Sequence, residues 1–276
     1  MCGSSMKVTD LKSMICINRH TFDFSRQGYL NLLNRKVHDD YGKELFEARR
    51  KVMFDLGFFN PLIRQITQMI RKATGMPGKN LKIADMGCGE GTHLAALCRL
   101  LQKTNHVTGV GMDLSKAGIE QAAKKFHSQT WIVADLTQPP FFPGSFDIIL
   151  NILSPSNYQV FDHLLHPDGF VIKVVPERRY LQELRRYLYK NSSREKYSNS
   201  EILAHFRQNY PDFQSKQLSY TCKMDAAGRQ SLICMTPLAW NTDDDTRRIW
   251  ALEGPEKVTV DVMILIGKKQ DLKDFK

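Results

Sequence analysis

The stretch Ile83-Ala84-Asp85-Met86-Gly87-Cys88-Gly89-Glu90-Gly91-Thr92 decides the fold. An apolar run over residues 81–86 predicts a strand, and the helical spacing of residues 92–101 predicts a helix immediately after three alternating glycines. Glycines at such a junction let the chain turn tightly and bring backbone N–H groups against a ligand at the helix N-terminus. Outward from the loop the same rhythm repeats. Strands are expected at 107–113, 130–134, 146–151 and 169–175, with a helix at 116–126. Alternation of this kind gives a parallel sheet covered by helices on both faces, an α/β fold. Ligands of such sheets sit at the carboxyl ends of the strands, where the topology switches.

Before the loop, Gly75, Pro77 and Gly78 break the chain and mark a domain boundary. Upstream of that break, Leu45, Ala48, Val52 and Leu56, then Leu62, Ile63, Ile66 and Ile70, recur at helical intervals. Gly57 ends the first of these helices, and Asn60-Pro61 opens the second as a cap followed by an N1 proline. Turn residues dominate the first 38 positions. The expected organisation is a small module over 1–38, a helical linker over 39–75 and the α/β domain over 76–276. Late in the chain a helix at 201–209 and strands near 217–224 and 258–266 are expected.

Composition bounds the rest. Of 276 residues, 42% are hydrophobic and 25% charged, the balance of a globular protein rather than a disordered one. No run approaches the ~18 apolar residues of a membrane span. Six cysteines without a framework fit a reducing cytoplasm. The net charge of +10 is uneven: residues 1–75 carry 13 basic and 7 acidic side chains, and residues 173–196 carry 8 and 3. Two basic blocks attract a polyanion, or they simply form a solvated surface.

The loop spacing departs from the dinucleotide pattern, because the third glycine follows the second by two residues rather than three. The Asp-x-Gly-x-Gly-x-Gly form resembles motif I of class I S-adenosylmethionine-dependent methyltransferases. That likeness implies a Rossmann-like sheet and assigns Asp85, Gly87, Gly89, Glu90, Gly91 and Thr92 to the cofactor. Asp113, ending the second strand, is placed to accept from the ribose hydroxyls, and Asp135, ending the third, from the adenine amino group.

At the N-terminus, Cys2, Cys16 and His20 offer three metal-ligand side chains. Ligand counting alone leaves them as free thiols and a surface histidine, since structural zinc takes four. Several segments together carry a more specific resemblance. They are Ile15-Cys16 through Arg19-His20, Phe22-Asp23, Gly28 through Leu33, Ala48-Arg49-Arg50, Gly57 through Leu62, Asp85 through Gly91, and Met235 through Trp240. Over nearly the whole chain, and in order, they resemble the RlmA/TlrB-type 23S rRNA (guanine-N1)-methyltransferases, and Ser154-Pro155-Ser156-Asn157-Tyr158 looks nearer the TlrB-like branch. The resemblance implies an N-terminal zinc ribbon of three cysteines and one histidine. Cys2, Cys16 and His20 match three of these ligands, and the remaining cysteine would fall upstream of Met1. The zinc site of the chain as numbered is therefore expected to be incomplete, unless His38 completes it. The family also implies that Phe59 and Tyr180 touch the cofactor, where packing is the plainer role for both.

The implied reaction is methyl transfer from S-adenosylmethionine to guanine N1 in 23S rRNA, in the hairpin 35 region. Asn151, Asn157 and Tyr158 should line the pocket. The asparagines could read the Watson–Crick edge and Tyr158 could stack on the base. Equally, the asparagines could cap turns and Tyr158 could pack in the core. No carboxylate there presents itself as the base. A methyltransferase for a small metabolite and a non-catalytic binding protein are the alternatives. A homodimer is compatible with the sequence.

Overall fold

A computed structural model describes residues 2–33, 42–75 and 77–269. The expected boundary at 38/39, and His38 itself, lie outside the described residues.

Three short strands, β1 (Met6–Thr9), β2 (Ser13–Cys16) and β3 (Thr21–Asp23), form an antiparallel sheet in sequence order. Strand β4 (Leu30–Asn31) follows. Helix α1 (Lys43–Arg50) runs straight into a π-helical turn, Lys51–Asp55, and α2 spans Asn60–Thr74. The α/β alternation then proceeds as β5 (Asn80–Met86), α3 (Thr92–Leu101), β6 (His106–Asp113), α4 (Lys116–Lys125), β7 (Thr130–Val133), β8 (Phe146–Ile152), α5 (Tyr158–Leu164) and β9 (Leu165–Pro176). Helices α6 (Gln182–Tyr189) and α7 (Ser200–Asn209), strand β10 (Gln214–Lys223), helices α8 (Ala226–Met235) and α9 (Asp244–Glu253), and strand β11 (Lys257–Lys268) complete it.

The large sheet has eight strands in the order β10-β11-β9-β8-β5-β6-β7-β4. Pairing is parallel from β4 through β9, and β11 is antiparallel to both β9 and β10. The order reverses at β5, whose two neighbours are β6 and β8. That reversal is the switch point where a ligand crevice opens beyond the strand ends, and the glycine loop leaves β5 there.

Apolar residues on both faces of β5, β8 and β9 explain why each strand reads as a nearly continuous hydrophobic run. One face packs under α2 and α3 through Leu62, Ile66, Ile70, Leu94 and Leu97; the other carries Tyr158, Phe161, Phe206 and Tyr210 from α5, α7 and the end of α7. Trp131 on β7 fills the space left by two glycines: a Cβ on Gly111 would come 2.2 Å from its ring.

Three expectations are corrected in detail. The second linker helix is capped by Phe59, so Asn60 is its first helical residue and Pro61 its second. Helices α5, α6, α8 and α9 lie in stretches to which the sequence pattern assigned no element. Strand β9 begins at Leu165, four residues before the apolar run that signals it. No helix among the described residues is long and apolar enough to cross a membrane.

Candidate functional site

Loop residues Gly87, Gly89 and Gly91 all take positive φ. At Gly87 the need for glycine is also steric, because a Cβ there would sit 2.0 Å from Ser154 Oγ. The loop is held by donors at its own start: Gly87 N–H donates to Met112 O at 2.9 Å, and Gly89 N–H donates to Asp113 Oδ2 at 2.7 Å. Asp113 Oδ1 accepts from Ser115 N–H at 2.8 Å. The carboxylate expected on the ribose is thus also the clamp of the loop.

Asp85 is 1% exposed, and neither of its oxygens has a hydrogen-bond partner among the described residues. Burial raises its pKa to about 8; the neighbouring charges of Asp113 and Glu90 add to that, against the pull of Arg49. A dry, unpartnered acid at a ligand crevice is built for a cationic group. S-adenosylmethionine carries two, a sulfonium and an ammonium, so the residues present fit it. Thr92, at the start of α3, buries an unpartnered hydroxyl beside the loop. Phe59 is buried against Phe58 and the His93 ring, 5.0 and 5.2 Å between centroids. Burial lowers His93 to about 3, with Arg49 adding to the effect, so the ring is neutral. Tyr180 is buried just beyond β9, and burial pushes its hydroxyl well above the usual range. Asp135 has its Oδ1 in a turn, accepting from Thr137 N–H and Oγ1–H at 2.9 and 2.7 Å.

Glu90 is 2% exposed and lies 2.8 Å from Arg49 Nε on α1. The sequence pattern gave Arg49 no role; its only signal was the Ala48-Arg49-Arg50 segment of the family resemblance.

Beside the loop, beyond β8 and β9, opens a cavity of about 520 Å³ lined by Leu153, Ser154, Ser156, Tyr158, Lys173, Glu201 and His205, among others. Asn151 does not face it as a reader of bases. Its Nδ2 donates to Met86 O and Pro155 O at 2.8 and 2.9 Å, and its Oδ1 accepts from Lys173 Nζ at 2.5 Å. All its hydrogens are spent within the fold. Asn157 caps α5, accepting from Val160 N–H at 3.2 Å. Tyr158 is buried edge-on against Phe161, Phe206 and Tyr210 while part of it reaches the cavity. Lys173 is the group that residue patterns missed. Its Nζ donates to Asn151 Oδ1 and to Ser154 O at 2.6 Å, it is 4% exposed, and burial lowers its pKa to about 8. No carboxylate among the described residues pairs with it.

In the small N-terminal sheet, Cys16 ends β2 and His20 precedes β3 across a turn closed by Arg19 N–H to Cys16 O at 2.9 Å. Cys2 Sγ lies 3.8 Å from Cys16 Sγ, and Cys16 Sγ lies 3.3 Å from His20 Nδ1. Tetrahedral zinc with bonds of about 2.3 Å to sulfur spaces two thiolates by about 3.8 Å, so the three side chains fit three corners of a zinc site. Hydrogen bonds from Ser4, and then from Asn18, draw the Cys2 thiol down to about 5, favouring the ligating thiolate.

Replacing Asp113 with alanine should weaken S-adenosylmethionine binding by about 1–3 kcal/mol, through lost ribose acceptors and a freed Gly89 N–H. Calorimetry measures it, and unchanged affinity would remove Asp113 from the site.

Residues 83–169 match the family model described as a methyltransferase domain, and residues 1–36 match the model described as the N-terminal part of RlmA. The chain is 43% identical over 270 residues to the "Putative 23S rRNA (guanine-N(1)-)-methyltransferase YxjB" of Bacillus subtilis (strain 168), covering 98% of this chain and 95% of that one. It is 28% identical to the 23S rRNA (guanine(748)-N(1))-methyltransferase of Streptomyces fradiae, covering 96% and 94%. Among solved structures, the YcgJ protein of Bacillus subtilis superposes with a TM-score of 0.48 at 17% identity, covering 75% of this chain and 100% of that one. With a zinc-ribbon module, an S-adenosylmethionine-type glycine loop and full-length identity of 43%, the chain belongs to the RlmA-type 23S rRNA (guanine-N1)-methyltransferase family.

Proposed function

We propose that the protein methylates N1 of a guanine in the hairpin 35 region of 23S rRNA. The observation that carries this is the cavity beyond β8 and β9, which meets the cofactor loop where Ser154 abuts Gly87 and holds one buried cation, Lys173. A ribosomal RNA substrate brings a cytoplasmic location with it.

S-adenosylmethionine supplies a methyl group already activated on sulfur. The chain must then align the base, exclude water and ease the loss of the N1 proton. Asp85 would hold the cationic head of the cofactor, Asp113 would accept from the ribose hydroxyls and Asp135 from the adenine amino group. Phe59 and Tyr180 wall the site, and Gly87, Gly89, Glu90, Gly91 and Thr92 form its floor. In the cavity the Lys173 ammonium has two of its three hydrogens committed, to Asn151 Oδ1 and Ser154 O. The third would donate to guanine O6, where charge collects as N1 gives up its proton to solvent water; the N1–methyl bond would form as the methyl–sulfur bond breaks. Asn151 positions Lys173 and does not read the base. Its acceptor is fixed because both its amide hydrogens go to backbone carbonyls. Tyr158 and Ser156 wall the base.

Of the four arginines around Tyr180, the structure leaves two freely exposed, Arg178 and Arg186. Arg179 pairs with buried Asp261 at 3.5 Å. Arg185 is buried, donates to Arg194 O and lies over the Tyr197 ring. Exposed Arg194 lies over Tyr189. Replacing Arg178, Arg186 and Arg194 together should reduce the slope of log RNA affinity against log salt by about two, while cofactor affinity stays the same. RNA affinity that does not depend on salt would favour a small-metabolite substrate.

The deciding experiment is transfer of labelled methyl to total RNA followed by nucleoside analysis. Labelled 1-methylguanosine in 23S rRNA is expected. Label in another nucleoside, or none in RNA, would overturn the assignment.

A further inference from the structure

Helix α1 lies directly on the cofactor loop. A Cβ built on Gly89 would come 3.5 Å from Phe46 and 3.6 Å from Arg49 Cζ, and one on Gly118 would come 2.9 Å from Phe46. Arg49 therefore places its guanidinium over the loop, among Glu90, Asp113, Tyr180 and Asp85, in that order of electrostatic influence. Three carboxylates converge on this spot, and Arg49 is the one cation among the described residues that acts on Asp85. Arg49 Nε faces Glu90. Arg49 Nε and Glu90 Oε2 are both buried without an aligned hydrogen bond, so their contact is an ion pair that leaves the guanidinium free to turn toward a ligand.

The amino-acid head of S-adenosylmethionine is a zwitterion. Asp85 suits its ammonium and sulfonium, but three acids close together repel its carboxylate. That carboxylate needs a cation on the same side of the loop, and a guanidinium poised over Gly89 can take both oxygens in a fork. We propose that Arg49 captures the α-carboxylate of S-adenosylmethionine, with Glu90 holding the guanidinium in register. The assignment deepens the cofactor reading given above and rests on it. Arg49 binds the ligand, and Glu90 acts through Arg49 as a positioning residue. Helix α1 thereby becomes part of the cofactor site, although it lies outside the α/β core that carries the loop.

The test compares ligands that differ only in the group at issue. Calorimetry on the full chain would measure S-adenosylmethionine, S-adenosylhomocysteine and decarboxylated S-adenosylmethionine, which keeps the sulfonium and the amine. The wild-type protein should prefer S-adenosylmethionine to its decarboxylated form by about tenfold to a hundredfold, the worth of a charge-assisted contact. Arg49→Met should cost the two carboxylate-bearing ligands that factor and leave the decarboxylated one unchanged, abolishing the preference. Arg49→Lys keeps the charge but not the fork, and should retain part of the preference even if the methionine variant folds poorly. Glu90→Gln should reduce the preference without reversing it. A wild-type protein that binds both forms equally would overturn the proposal. So would an Arg49→Met variant that weakens all three ligands alike, since the arginine would then only fasten α1 to the loop. Failure of the wild-type protein to bind any of the three would instead overturn the cofactor reading itself, and the carboxylate anchor with it.

Discussion

Replacing Lys173 with methionine should slow methyl transfer by about 10²–10³-fold, the usual cost of deleting one donor that stabilises developing charge. Cofactor affinity should stay within a factor of about two, because the lysine lies in the adjoining cavity rather than on the loop. Single-turnover transfer to 23S rRNA and calorimetry of the cofactor separate the two quantities. The pH profile tests the charge state. Burial disfavours the ammonium, so it is lost as pH rises through about 8. The wild-type rate should therefore fall across that range. Lys173→Arg keeps its charge at every accessible pH and should lose that falling limb while retaining part of the rate. A rate that rises through the same range would make the amine a proton acceptor instead. Unchanged transfer in Lys173→Met would remove the residue from the reaction.

Gly89→Val should abolish measurable cofactor binding. The residue sits at φ +55°, where a β-branched side chain is strained, and its N–H must stay on Asp113. The added methyls would meet Phe46 and Arg49, on the face where we propose that the ligand's carboxylate binds. The rest of the sheet is untouched, so circular dichroism should be preserved and the melting temperature lowered by only a few degrees, as about 1–3 kcal/mol of strain implies. Wild-type affinity in this variant would dissociate the glycine loop from the cofactor.

The parts of this site that could be read from the sequence are those whose chemistry is local. Asp85, the glycines and Thr92 lie within one strand-loop-helix junction, so their spacing marks a ligand loop and its likeness to methyltransferase motif I points to the cofactor. Asp113 is equally legible because it ends the next strand. Arg49 and Lys173 are not. Arg49 meets Glu90 only because α1 folds back over the loop, and nothing in the spacing of Ala48-Arg49-Arg50 encodes that contact. Lys173 interrupts the run Val171-Ile172-Lys173-Val174-Val175, where an inward cation and a solvated one look alike. Its burial follows from pairing opposite Asn151 in the β8–β9 register. The same register spends the amide of Asn151, which is why that residue turns out to be a brace. Helix α8 escaped notice for another reason. Leu232, Ile233 and Met235 cluster rather than recur along one face, and its position is fixed by Arg229, which donates to the carbonyls of Met224, Ala251 and Leu252.

Strand β4 is only two residues long, yet it closes one side of the main sheet. Leu30 pairs opposite Ile132 and Asn31 opposite Val133, and Leu32 N–H donates to Val133 O at 2.8 Å. Leu30 is 3% exposed against that edge. Uncovered, β7 would present a row of open N–H and C=O groups, the template on which sheets of neighbouring molecules join. The segment after the zinc-ligand hairpin therefore also covers an edge of the main sheet on which strands of other molecules could otherwise pair. Trimming the chain to its α/β part would expose that edge, and clumping of the trimmed protein would arise before any question of RNA recognition could be asked of it.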